Sequence, residues 1–415
     1  MTTRRNLLII AGGATLLGGC RDESPPGGPG RAESVPDVVV AETRQGLVVL
    51  GGPRPRLLGP TAVTSPDGRL AGTLTRTAGR PGLLVLDPAS AGPDQPVPVA
   101  DGWLPRVLAS DGRLCALTRH APAARPAPRT RTTILVITNA GQREYELSGT
   151  VEPDAFTQDG AGLFVLEWFP ATAPERYRVR RLDLTTGALE PLLTRDKSPV
   201  PAGAEEEMRG DGRQAVLSPD RQLLYTLYTH QPGHLHTRDL LAGRGGGVHA
   251  FVHVLHLAQG WAYCLDLPHP FGTGPADGQA VAVSADGRRL AVADTAAGSV
   301  AYADVVTGTN PFDGTIPVRI AQVVTVPSGT GPAGLAFAAG RLLLGSGQTL
   351  TVLDPGGTVA ARWSVPAAVR GIGVSPGAAR VYVGGAEEVL WLDASSGAVR
   401  GRAPVRGLTA LRHVR

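Results

Sequence analysis

Lysine is nearly absent from this sequence. Lys197 is the single one in 415 residues, and the other cations are arginines, a bias typical of GC-rich coding rather than of a local basic device. The formal charge is only +4 and is spread along the chain, which excludes the focused basic surface that nucleic-acid binding needs. With three cysteines, no disulfide-dense scaffold is expected. Long hydrophobic runs are missing too: the most apolar stretch, Leu7 to Leu17, is shorter than the roughly 20 residues that cross a bilayer as a helix. Nor does the chain contain a G-x-S-x-G elbow, an H-E-x-x-H pair or a G-x-x-x-x-G-K-[ST] loop. What is abundant is Gly (55) and Pro (36). Their share lies just under the roughly 25–30% that marks low complexity, so the choice is between disorder and many tight turns. Recurring apolar stretches decide for turns.

Residues 1–20 combine Arg4 and Arg5, the apolar run and small residues before Cys20, the layout of an export signal. Thr3-Arg4-Arg5-Asn6-Leu7-Leu8 resembles the twin-arginine export motif, and Leu17-Gly18-Gly19-Cys20 resembles a bacterial lipobox. The resemblance implies cleavage after residue 19, a lipid on Cys20, and a location on the extracytoplasmic face of the cell membrane. Residues 20–37 then read as a flexible linker, rich in Pro, Gly, Ser and charge. The other two cysteines, Cys115 and Cys264, fall in apolar strand-like stretches and read as small hydrophobes rather than as a disulfide pair.

One phrase recurs through residues 38–415: Ser65-Pro66-Asp67-Gly68-Arg69-Leu70, Ser110-Asp111-Gly112-Arg113-Leu114, Ser218-Pro219-Asp220-Arg221-Gln222-Leu223 and Ser284-Ala285-Asp286-Gly287-Arg288-Arg289-Leu290. Weaker copies occur at Gln158, Ala339 and Ser375, and the marks fall 38–66 residues apart, the size of a four-stranded unit with variable loops. Chemically the phrase is a hairpin turn leading into an apolar strand. The aspartates recur once per unit, and geometry explains them better than acid–base or calcium chemistry.

These units resemble the YVTN and WD40-like repeats of β-propellers, most clearly at Leu290-Ala291-Val292-Ala293-Asp294-Thr295. The resemblance implies an all-β fold and a single propeller. Val40 to Val48 matches Val292 to Val300, a second strand without a first, while Val405 to Ala410 matches Val369 to Val374, a first strand without a blade. Joined, the two ends complete one blade. Seven internal blades plus this composite predict eight, with seven as the alternative.

Seven of nine histidines lie within 230–269. If both segments are extended, His234 and His236 share one face and meet His253 from a second strand, a set of imidazoles able to hold Zn²⁺ or Cu²⁺. The plainer reading is solvated or strand-packed histidines, and no cofactor is otherwise expected. Glu205-Glu206-Glu207 reads as a solvated acidic loop, and Arg125, Arg129 and Arg131 as a polar insertion between Ala121 and Thr132. The expected function is that of a non-catalytic binding or scaffold module, a lipid-anchored monomer whose loops meet a protein, peptide or cell-wall glycan. The alternative is an enzyme with a channel-centred site, lactonase-like or oxidoreductive.

Overall fold

A computed structural model describes residues 34–415 apart from 53, 91–94, 211 and 307–317. Arg4, Arg5 and Cys20, and with them the expected signal and anchor, lie outside the described residues. The 32 strands form eight four-stranded antiparallel sheets, each a blade of one propeller. Seven blades are continuous in sequence, with innermost strands Val63–Thr64, Leu104–Leu108, Thr150–Phe156, Gln214–Leu217, Gln279–Val283, Ala333–Ala338 and Ile372–Val374. We number these blades 1 to 7. The eighth takes its inner strand, Leu408–Val414, from the C-terminal end and its other three, Val39–Thr43, Gly46–Leu50 and Arg56–Gly59, from the N-terminal end.

The seam of this composite blade runs from Val39 opposite Val414 to Thr43 opposite Leu408, with two bulges. Beyond it, Val38 N–H donates to the Arg415 carbonyl at 2.8 Å and Arg415 N–H returns to Val38 at 2.9 Å. Val39 and Leu408 are fully buried, packed with Tyr382 and Trp391 of blade 7. The chain just ahead of the seam is also tied down. Val35 is buried, and Asp37 accepts hydrogen bonds from Arg380 Nε (2.8 Å), Arg380 Nη2 (3.1 Å) and the Tyr382 hydroxyl (2.7 Å).

The repeated phrase has the structural role expected of it. In blade 1 the Ser65 hydroxyl donates to Asp67 at 2.7 Å while Leu70 N–H donates to Ser65 Oγ at 3.0 Å, which locks the turn from inside. Ser218 with Asp220, Ser284 with Asp286 and Thr157 with Asp159 repeat the bond at 2.5–2.6 Å. These turns share one end of the ring. There Arg221 of blade 4 reaches Asp67 of blade 1 at 2.8 Å, beside a cavity of about 150 Å³ walled by the turns of blades 1 to 3.

Gly68, at φ +67°, is a turn position where bulk matters for the seam. A Cβ there would fall 2.1 Å from the His413 ring of the closing strand, so the ring packs directly against bare backbone. Burial, reinforced by Arg412, pushes the His413 imidazole down to about 4 from its ordinary 6.5. The folded chain therefore keeps this ring neutral where the unfolded chain protonates it, so the stability it allows above pH 6.5 drains away as pH falls toward 4. Denaturant midpoints measured across that window should fall less steeply for His413→Gln than for the wild-type chain, and the two curves should run parallel above pH 7.

Candidate functional site

Blade 4 departs from the repeat, and its departures converge. The connection entering it passes along the third strand of blade 3, Arg176–Asp183, and bridges it at Tyr177 and Met208. An extended chain sends successive side chains to opposite sides. Glu205 and Glu207 accordingly face blade 3, where Glu205 pairs with Arg178 at 2.8 Å and Arg180 at 3.0 Å, and Glu207 with Arg176 at 2.7 Å. Glu206 faces the other way, into blade 4. The reading of this triplet as a solvated loop is thus corrected: every member has a partner, and the Glu206 side chain is only 15% exposed.

His234 and His236 come from the long insertion between the second and third strands of blade 4. Gln231, buried, anchors it by exchanging hydrogen bonds of 2.9 Å with the backbone of Arg209. The chain turns at Gly233, bridges His234 to Val248, and enters a short helix, Thr237–Ala242, so the extended condition weighed for the histidine segment ends at His236. Gly246 lets the return strand lie across the turn, since a Cβ there would meet the His234 carbonyl oxygen at 2.0 Å. Cys264 and Asp266 occupy alternate positions of the outer strand Ala262–Asp266 and so face the same side.

Four residues thereby come together: Glu206, His234, His236 and Cys264, with their ligand-type atoms all within 4.8 Å of one another. Glu206 is the hub. Its Oε2 lies 2.9 Å from Cys264 Sγ, 3.4 Å from His236 Nδ1 and 3.5 Å from His234 Nε2, while Oε1 accepts the Thr237 N–H at 3.0 Å. His236 Nε2 is 2.5 Å from Asp266 Oδ1, and Arg238 pairs with the other oxygen of Asp266. His234 Nδ1 contacts the Glu207 carbonyl at 3.2 Å, which aims Nε2 at the cluster. That Nε2 is buried and makes no hydrogen bond. The His234 ring stacks on Phe251 at 4.3 Å, in the aromatic layer that fills the space between blades 3 and 4.

The electrostatics follow from this packing. Burial opposes charge on Glu206, but the adjoining His234 and His236 rings outweigh it and hold the carboxyl well below its usual range. For His236, burial is likewise outweighed, by Asp266 and Glu206, and the imidazole is raised to about 9. Burial and the Glu206 charge push the Cys264 thiol well above its ordinary value. Without a metal the cluster is therefore a carboxylate accepting from a thiol and an imidazolium.

Of the histidines singled out in the sequence, the structure brings together His234 and His236 and leaves His253 out of the group. His253 sits opposite Cys264 in the sheet but faces Tyr228, and burial pushes its imidazole down to about 4. Glu206 and Cys264, which sequence reasoning did not recruit, complete the set. The signal available was an acidic run placed just ahead of a histidine-rich blade that also carries an apolar-flanked cysteine. A second correction concerns the arginine-bearing insertion of blade 2. Arg129 is 9% exposed there and shares the buried Glu152 carboxylate with Arg106, whose Nη1 lies 2.5 Å away. Arg131 pairs with Glu146 in the open.

Fold and site together define an all-β propeller of eight blades with a polar cluster of metal-ligand type in one of them. No protein-family model matches the chain, and no curated protein matches it in sequence. Among solved structures it is similar to apo AztD from Citrobacter koseri, at a TM-score of 0.52 and 11% identity over 91% of this chain and 97% of that one. Dihydro-heme d1 dehydrogenase NirN in complex with DHE aligns at 0.47 and 16% over 94% and 77%. A putative 6-phosphogluconolactonase from Bacteroides fragilis aligns at 0.41 and 10% over 92% and 99%. Likeness at these identities shows the propeller fold alone.

Glu206 also holds the cluster together mechanically. Glu206→Ala strands the Thr237 N–H and the His236 ring, and should lower metal-free stability by about 1–3 kcal/mol in a urea titration. Glu206→Gln, whose amide oxygen can still accept from Thr237, should recover part of that loss.

Proposed function

We propose that this chain is a non-catalytic metal-binding propeller, held outside the cytoplasmic membrane by a lipid on Cys20, with a divalent transition metal bound by Glu206, His234, His236 and Cys264. The observation that carries the reading is the convergence of these four donors, three of them on buried residues, from three separate stretches of chain. The buried Nε2 of His234 supports it, because it makes no hydrogen bond and has only the 3.5 Å contact with Glu206, and an imidazole nitrogen left without a hydrogen bond in a protein interior is costly unless something else occupies it. Two imidazoles, a thiol and a carboxylate form a borderline-soft set suited to Zn²⁺ and unsuited to Ca²⁺ or Mg²⁺, which favour all-oxygen shells.

The fit is close already. Metal–ligand bonds of about 2.0–2.3 Å place tetrahedral donors roughly 3–4 Å apart, and the Glu206 contacts at 2.9, 3.4 and 3.5 Å fall in or near that range. Asp266 stands behind His236 as the carboxylate that would fix its ring once the metal is bound. Four protein donors fill a tetrahedral shell and leave no position for a reacting water, which supports a holding role over a catalytic one. The lipid tether rests on the lipobox-like residues before Cys20, and the export route on Arg4 and Arg5. The loops around 121–132 and 230–250 are the surfaces we assign to a protein, peptide or wall-glycan partner.

Titration of the purified chain with Zn²⁺ should reach one equivalent, and His234→Ala or Cys264→Ser should weaken binding by at least about 100-fold, beyond the loss typical of an outer-shell change. Co²⁺ should give a near-ultraviolet thiolate charge-transfer band that Cys264→Ser removes. No stoichiometric uptake, or a cobalt spectrum indifferent to Cys264, defeats the metal reading. Separately, Cys20→Ser should move the protein from the membrane to the soluble fraction of cells, and unchanged membrane retention defeats the anchor.

A further inference from the structure

We propose that a cavity at the outer rim, between blades 4 and 5, binds a small amphipathic anion: a carboxylate head carried on an apolar tail. Glu206, His236 and Cys264 of the metal cluster line one side of this cavity, but the proposal needs no metal to be bound. Its volume, about 630 Å³, falls in the range of small-molecule sites, roughly 300–1,000 Å³. It arises where the outer strand of blade 4, Ala262–Asp266, and that of blade 5, Val318–Thr325, are joined at one point by the Tyr263 hydroxyl, which donates to the Val318 carbonyl at 3.0 Å. The short helix Thr237–Ala242 adds a further wall.

The lining combines an apolar wall, three arginines and three carboxylates, Asp196, Glu206 and Asp266, of which Glu206 belongs to the metal cluster and Asp266 is taken by His236 and Arg238. Leu241, Tyr263 and Ile320 provide an apolar wall, and Leu241 is 59% exposed, the most exposed large apolar side chain among the described residues. Arg195, Arg238 and Arg319 provide the charge. Arg238 is taken by Asp266, whereas Arg195 and Arg319 form no ion pair among the described residues. In blade 3, by contrast, Arg176, Arg178, Arg180 and Arg181 all face carboxylates. A bare inorganic anion has no use for the apolar wall, and a neutral apolar ligand has none for two open guanidiniums. Both are satisfied by one molecule with a carboxylate at one end, which arginine receives through paired hydrogen bonds.

The experiment is calorimetric titration of the metal-free full chain with straight-chain carboxylates from butanoate to decanoate. Affinity should rise about fourfold for each methylene added until the cavity is filled, the increment expected for burying one such group. Arg195→Ala combined with Arg319→Ala should weaken decanoate binding by about tenfold or more with the melting temperature unchanged. Ile320→Asp, which sets a like charge on the apolar wall, should abolish decanoate binding and leave zinc uptake intact. Affinity independent of chain length, or insensitive to the two arginines, overturns the proposal. So does sedimentation with phosphatidylglycerol vesicles in place of decanoate binding, since the tail would then belong to a lipid. Zinc uptake is read on the same samples, so loss of one activity with retention of the other shows which proposal has failed.

Discussion

The pairing of the last strand with the first is the constraint on which this molecule depends. Each blade alone is a four-stranded sheet with two apolar faces, and a row of such sheets would end in uncovered faces at both ends. Inserting Leu408–Val414 beside Val39–Thr43 turns the row into a ring in which every blade has two neighbours. The contact joins residues nearly the whole chain apart, so the entropy of closing that loop is met only by the burial and backbone bonding of the seam itself. The His413 ring against Gly68 and the Asp37 contacts with Arg380 and Tyr382 are reinforcements of this one junction.

A ring of near-identical sheets offers little chemical variety, and this chain obtains it by insertion. The internally bonded turn recurs in blades 1, 3, 4 and 5, while blade 4 alone lengthens both its entry and the connection between its second and third strands into the cluster. Those two additions meet over the outer strand of the same blade, which contributes Cys264 and Asp266. Strands hold one side of the cluster, while Glu206 and the two histidines ride on connections tied to a strand through Met208 and to each other through Gln231 and Arg209. The cluster thus sits over the outer strand of its blade rather than in the central channel, where the alternative enzyme reading placed a site.

How much of this was legible beforehand follows from where the information lies. Blade number and closure were legible because each turn is chemically self-contained: Ser, Asp and Gly within six residues specify the hairpin, and the unmatched strands at the two ends reveal the missing pairing. His234 and His236 were legible as candidates because they crowd into one stretch. Glu206 and Cys264 were not, since they stand 28 residues before His234 and 28 after His236 and meet them only through tertiary folding. His253 shows the converse failure, for its strand alternation places it correctly on a buried face but says nothing of which neighbour it will meet. The burial of Arg129 was missed for the same reason, as its partner Glu152 belongs to the next blade.

The clamp at Asp37 has a mechanical consequence. Any tension arriving through the segment that precedes residue 34 is received first by a carboxylate gripped by a guanidinium and a phenol of blade 7, and then by a strand flanked on both edges. Load applied along that strand must shear several backbone bonds at once instead of peeling them singly. The entry to the ring and its lock are therefore the same stretch of polypeptide, so that pulling on this end tests the most firmly stitched border of the ring rather than a loose flap.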